Sequence, residues 1–126
     1  MDIQKTIRKE IELKGRGIHT GLETEVTIKP AEAGTVILFV QIDPGGERTE
    51  VLATVESVQI GEGRQTSLGK GRAHIRTVEH LMATFHGLGV DNAIVELWGE
   101  EIPGFDGSAK YFVERILETG FISQEE

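Results

Sequence analysis

The segment Thr77-Val78-Glu79-His80-Leu81-Met82-Ala83-Thr84-Phe85-His86-Gly87-Leu88-Gly89 decides how the rest of the chain is read. Val78, Leu81, Met82, Phe85 and Leu88 recur at three- and four-residue steps, the spacing of one apolar helix face. At about 100° per residue, Glu79 and His80 fall off that face and share theirs with the small residues Ala83, Thr84 and Gly87. Thr77 is placed to cap the helix by accepting a backbone N–H bond, and Gly87 or Gly89 to end it.

A glutamate and a histidine in a first turn, above a floor of small side chains, leave room for a ligand. The N-terminal end of a helix carries partial positive charge and favours a carboxylate there. A carboxylate beside an imidazole is the pair that metal-assisted hydrolysis uses. The imidazole holds the metal, and the carboxylate takes a proton from the attacking water. The same residues also suit a plainer reading, a first-turn helix acid and a surface histidine. The helix alone leaves both open.

Length and charge narrow the field. A chain of 126 residues makes one domain, able to bury roughly two thirds of its unfolded surface. There is no cysteine, hence no disulfide and no thiolate metal ligand. A net charge of −8 argues against a general nucleic-acid binder, which needs clustered Lys and Arg. A local basic pocket for an anionic small molecule is still allowed. Met1-Asp2-Ile3-Gln4-Lys5 lacks the apolar core of a signal peptide, and no apolar run approaches the ~18 residues of a membrane span. The expected location is the cytoplasm, with no membrane span and no nucleic acid.

Along the chain, Ile3 to Leu13 alternates apolar with polar residues and predicts one half-buried strand. A glycine-punctuated loop, Gly15 to Gly21, separates it from a returning strand around Val26 and Ile28 that stops at Pro30. Val36 to Ile42 is a strongly apolar strand ended by Asp43-Pro44-Gly45-Gly46. Val51, Ala53 and Val55 alternate again, and Val58 and Ile60 extend that strand or begin another. Lys70, Arg72 and Arg76 form a solvated basic edge before the helix. Asn92 to Trp98 places Ala93, Val95 and Leu97 on one face and Ile94, Glu96 and Trp98 on the other. After a turn at Glu101 to Ser108, a second helix buries Phe112, Val113, Ile116 and Leu117 and ends at Gly120. The tail Ser123 to Glu126 is polar and expected to fray.

The predicted fold is α+β: a two-layer sandwich with a mostly antiparallel sheet of about five or six strands and two helices on one face. Residues 1–122 form a single domain, and 123–126 are a polar tail where a linker to a second domain would begin.

Four stretches together carry a resemblance. They are Gly15-Arg16-Gly17-Ile18-His19-Thr20-Gly21, Thr77-Val78-Glu79-His80-Leu81, Gly87-Leu88-Gly89-Val90-Asp91-Asn92 and Glu101-Ile102-Pro103-Gly104-Phe105-Asp106-Gly107-Ser108. In order and spacing they resemble the N-terminal half of the UDP-3-O-acyl-N-acetylglucosamine deacetylases, zinc hydrolases of lipid A synthesis. The resemblance implies that His80 is a zinc ligand and Glu79 the general base. It implies a cleft bordered by the loop carrying Ile18 and His19 and by Arg64, Gln65 and Thr66. It also implies a two-domain enzyme acting on a UDP-linked acylated glucosamine.

The resemblance also exposes a departure. Two further zinc ligands and a histidine that assists the leaving group belong to the family's C-terminal domain, and this chain has no counterpart for them. A catalytic zinc wants three protein ligands and one open position, and here only His80 is supplied. His86, six residues on, lies on a different helix face. The chain is therefore expected to need a complementary C-terminal domain and to be inactive alone. A second reading is a non-catalytic binding or assembly module of the same fold, completed by a second copy of the chain.

Overall fold

The computed structural model describes residues 3–17, 20–53, 58–60, 66–70, 73–76, 78–104 and 110–125. Among them the chain runs β1 (Ile3–Ile7), β2 (Ile11–Arg16), β3 (Glu23–Pro30), β4 (Ile37–Ile42), β5 (Arg48–Leu52), β6 (Val58–Ile60), β7 (Thr66–Lys70), β8 (Ala73–Arg76), α1 (Glu79–Leu88), β9 (Ala93–Trp98), α2 (Lys110–Thr119) and β10 (Phe121–Glu125). The main sheet has the order β2-β3-β9-β4-β5, with β6-β7-β8 and β1-β10 as smaller antiparallel sheets.

Alternation along each strand sets which face is buried, and register carries that choice from strand to strand. Leu13 pairs with Val26 and Ile11 with Ile28, while Val26 and Ile28 pair in turn with Leu97 and Val95. Val95 also faces Phe39, which faces Val51. All of these are buried and form one core with Leu81 and Phe85 of α1 and Phe112 and Ile116 of α2. Both helices therefore cover the same face of the main sheet and touch each other. The expected α+β sandwich is the observed architecture.

On the opposite face Leu38, Val40, Ile42 and Ile94 mix with polar residues, among them the buried carboxylate Glu96. Its Oε1 lies 2.8 Å from Lys29 Nζ, and its Oε2 accepts a hydrogen bond from the Arg48 guanidinium. Burial pushes the Glu96 carboxyl up, but the bonds and charges of Lys29 and Arg48 outweigh it and hold it below the ordinary carboxylate range. The hydrogen bond to Glu96 raises Lys29 in return.

Several local expectations are corrected. The first predicted strand is two, because Arg8, Lys9 and Glu10 break it and β1 leaves the main sheet to pair with β10. Ser123 to Glu125, expected to fray, form the end of β10. Gln124 makes its place by donating to Ala31 O at 2.7 Å and accepting from Asn92 Nδ2 at 3.0 Å. Gly15 and Arg16 belong to β2 rather than to the loop after it. One pairing, β4 with β9, is parallel, since the chain leaves β4 and returns only after α1. On α2, Leu117 is 54% exposed instead of buried and Val113 is half-buried. Thr77, Val55 and the 105–108 part of the turn lie outside the described residues.

The C-terminal end of α1 is tied to three other segments. Gly89, at φ +73°, takes the left-handed turn that ends the helix. Its N–H donates to His86 O and that of Val90 to Phe85 O at 2.8 Å, satisfying two terminal carbonyls. Two residues on, the buried Asn92 accepts the Val36 N–H on Oδ1 at 2.9 Å and donates from Nδ2 to Gln4 and Gln124. Thr6 Oγ1 donates to Asn92 O at 2.6 Å, and Lys5 O accepts the N–H groups of Asp91 and Asn92. That clamp holds Val36 at φ +68°, a conformation a β-branched residue adopts only when its neighbours impose it.

Candidate functional site

At the other end of α1, Val78 is the N-cap and its carbonyl accepts the first helical bond, from Met82 N–H at 2.9 Å. Val78 makes no side-chain cap bond. Val78, Leu81 and Phe85 are buried, and Met82 and Leu88 pack against the same core, so the apolar stripe read from spacing is the buried face. Glu79 and His80 are half-buried in the first turn. Thr84, expected beside them as a small surface residue, is buried and donates from Oγ1 to His80 O at 2.8 Å. Ala83 and Gly87 are exposed, as is His86.

The four residues Gly89 to Asn92 turn the chain from α1 back into β9. The helix N-terminus is thereby directed toward the end of the sheet where β9 finishes. At that end lie two of the sequence motifs, and they are joined there. Gly104 N–H donates to Arg16 O at 2.9 Å, and Thr20 N–H donates to the Glu101 carboxylate at 2.8 Å. The turn between β2 and β3 is closed by Gly17 N–H to Leu22 O and by Gly21 N–H to Gly17 O, each 3.0 Å. Ile102, which follows Glu101, belongs to the same buried cluster as Val78 and Leu81.

Beside these motifs a groove of about 690 Å³ is lined by Thr20, Leu22, Thr24, Gln41, Trp98 and Glu101 among others. Glu23, Asp43, Glu47 and Glu100 also line it. Trp98, placed by the alternation of its strand on the face opposite Ala93, Val95 and Leu97, is 39% exposed and lines it.

The predicted site residues fare unequally. Glu79 and His80 are adjacent in one turn, as their spacing requires. Thr66 opens β7, where its Cα pairs with Ile60. Ile18, His19, Arg64 and Gln65 lie outside the described residues, as does Arg72 of the basic edge. Among the described residues no group of three His, Asp or Glu side chains is gathered to hold a metal ion. Sequence reasoning missed Glu101, which it took for part of a turn. The available signal was a glutamate amid apolar Ile102 and Pro103, next to glycines.

Comparison with known proteins bears on the same motifs. A family described as UDP-3-O-acyl N-acetylglycosamine deacetylase matches residues 4–126. The chain belongs to this deacetylase family. A UDP-3-O-acyl-N-acetylglucosamine deacetylase of Trichormus variabilis is 42% identical over 124 residues, covering 96% of the chain and 42% of the relative. One from Chlamydia pneumoniae is 40% identical over 123 residues, covering 98% of the chain and 43% of the relative. A protein of Chlorobaculum tepidum named bifunctional enzyme LpxC/FabZ is 39% identical, with 98% of the chain and 26% of the relative covered. The chain thus spans less than half the length of each of these deacetylase-family relatives. Among the described residues, no helix is long and apolar enough to cross a membrane.

Proposed function

We propose that this chain supplies one side of the active site of a zinc-dependent amide hydrolase acting in the cytoplasm. Its substrate would be a UDP-linked 3-O-acylated glucosamine, from whose nitrogen an acetyl group is removed in lipid A synthesis. The observation that carries the reading is the adjacent, half-buried Glu79 and His80 in the first turn of α1, in a chain of the deacetylase family.

The donor set was weighed against the metal it would hold. A neutral imidazole is a zinc ligand, and His80 is accessible enough to serve. It fills one position of a tetrahedral site, and the described residues gather no further set. The remaining ligands would come from a complementary C-terminal domain, consistent with relatives more than twice as long. When bound, zinc supplies Lewis acidity toward the acetamide carbonyl.

The chain's own residues do the rest. Glu79 accepts a proton from the attacking water, as general base. The clamp at Asn92 would keep the helix that carries Glu79 from shifting along the sheet. Ile18, His19, Arg64, Gln65 and Thr66 would border the substrate.

The test mixes the chain with the C-terminal half of a deacetylase relative and follows zinc content and deacetylation. The mixture is expected to bind zinc and turn over substrate, while the chain alone does neither to a useful degree. Glu79→Gln should keep zinc but slow turnover by roughly 10²- to 10⁴-fold, and His80→Ala should lose zinc. An associated mixture that neither binds zinc nor deacetylates, or that ignores Glu79→Gln, overturns the reading.

A further inference from the structure

We propose that Glu101 is a positioning residue, one that shapes the turn bordering the substrate cleft without touching the reacting atoms. The kinetic part of this inference rests on the deacetylase reading; the structural part does not.

Glu101 is 1% exposed, and a carboxylate is rarely buried that far unless hydrogen bonds compensate its lost hydration. Its Oε1 accepts the backbone N–H of Thr20 at 2.8 Å, across 81 residues of sequence. The same oxygen occupies the place where a side chain at position 17 would begin. A Cβ built on Gly17 would lie 2.0 Å from Glu101 Oε1 and 2.6 Å from Thr20 Oγ1. One carboxylate oxygen therefore sets both ends of the Gly17–Thr20 turn, by a bond at one end and by exclusion at the other. Residues 18 and 19 are carried in sequence between those two points.

The neighbouring contacts reinforce this role. Thr20 Oγ1 accepts the Leu22 N–H at 3.2 Å, and Gly104 N–H ties the start of the turn to the Glu101 segment through Arg16 O. Thr20, Leu22 and Glu101 together line the groove of about 690 Å³ at this end of the sheet. Glu101 meets the turn through the backbone of Thr20, and it is through the turn that the inference has it act on a ligand. A hydrogen bond from an amide to a carboxylate is among the stronger ones in a protein, and glutamine keeps the acceptor oxygen and nearly the same volume.

The experiment compares Glu101→Gln, Glu101→Ala and Gly17→Ala in two settings. In the chain itself, amide hydrogen exchange at Thr20 and Gly21 and tryptic cleavage after Arg16 report on the turn. Glu101→Ala should speed both on the order of ten- to a hundred-fold. Glu101→Gln should stay within about threefold of the parent, and Gly17→Ala should behave like Glu101→Ala. In the mixture with the complementary half, Glu101→Ala should raise KM about tenfold with kcat within about twofold, and glutamine should restore KM. Unchanged exchange at Thr20 in Glu101→Ala overturns the inference. So does a glutamine variant as impaired as alanine, or an equal fall in kcat with KM unmoved. If the parent mixture is inactive, the deacetylase reading fails, and the exchange and cleavage results alone decide for or against Glu101 as the setter of the turn.

Discussion

At its C-terminal end α1 finishes in two cap bonds and a buried asparagine that reaches β1, β10 and the segment before β4. At its N-terminal end a valine caps the helix with no side-chain bond, and the next two residues are a half-buried glutamate and histidine. The helix between them is ten residues long, about 15 Å along the axis. One end spends its polar groups on holding the helix in place. The other keeps ionisable side chains at the more electropositive pole, where a substrate or metal could be met. Under the proposed function, fixity at one pole would serve chemistry at the other, because reacting groups must stay within a fraction of an ångström of the productive geometry.

Substitutions at each end test this division. The largest effect is expected at the N-terminal end. Glu79→Gln should cost two to four orders of magnitude in deacetylation by the completed enzyme, with the thermal midpoint of the chain unchanged. A drop in the midpoint of several degrees would make Glu79 a structural residue instead. Next comes Asn92→Ala, which strands the Val36 N–H and takes one hydrogen bond each from Gln4 and Gln124. Urea unfolding should show a loss of about 3 kcal/mol, while turnover by the folded fraction changes far less than with Glu79→Gln. Gly89→Ala should cost about 1 kcal/mol by the same measurement. Among the described residues beyond its own helix, Lys5 Nζ at 3.8 Å is the one neighbour within 4 Å of its new methyl group, so that cost is conformational.

An effect as small as that of Gly89→Ala is expected on the far face of the sheet, at Glu96, which touches neither pole. Its carboxyl is held below the ordinary value of 4.5. Its stabilisation is therefore present above that value and fades as pH falls through the lowered one. Glu96→Gln should lose about 1 kcal/mol near neutral pH, and the gap from the parent should close on acidification. Lys29 is raised above 10.5, so its share persists below that value and disappears only at more alkaline pH. Unfolding curves across the acid range check the first sign, and curves on the alkaline side check the second.

How much of this was legible in the sequence depended on how local the information was. The alternation of β9 and the spacing of Leu81 and Phe85 could be read because burial on one face leaves a periodic trace. The break at Arg8 to Glu10 left none, since the residues on both sides keep alternating and only pairing with β10 separates the strands. Ser123 and Gln124 looked like tail for the same reason: Gln124 earns its place through Asn92 and Ala31, both distant in sequence. At the candidate site, Glu79 and His80 stood out as neighbours in one helical turn. Glu101 did not, because its role is set by a partner 81 positions away.

The pairing of Ile3 with Glu125 and of Ile7 with Phe121 has a consequence for synthesis. While the ribosome is still extending the chain, β1 has emerged with no strand to receive it. Its backbone groups stay open to any passing extended segment until residues 121–125 leave the exit tunnel. Completion of this ladder, and with it the seat of Asn92 against Gln124, thus waits for the segment that follows α2. Slow translation through residues 121–125 would lengthen the window in which a holdase chaperone is useful.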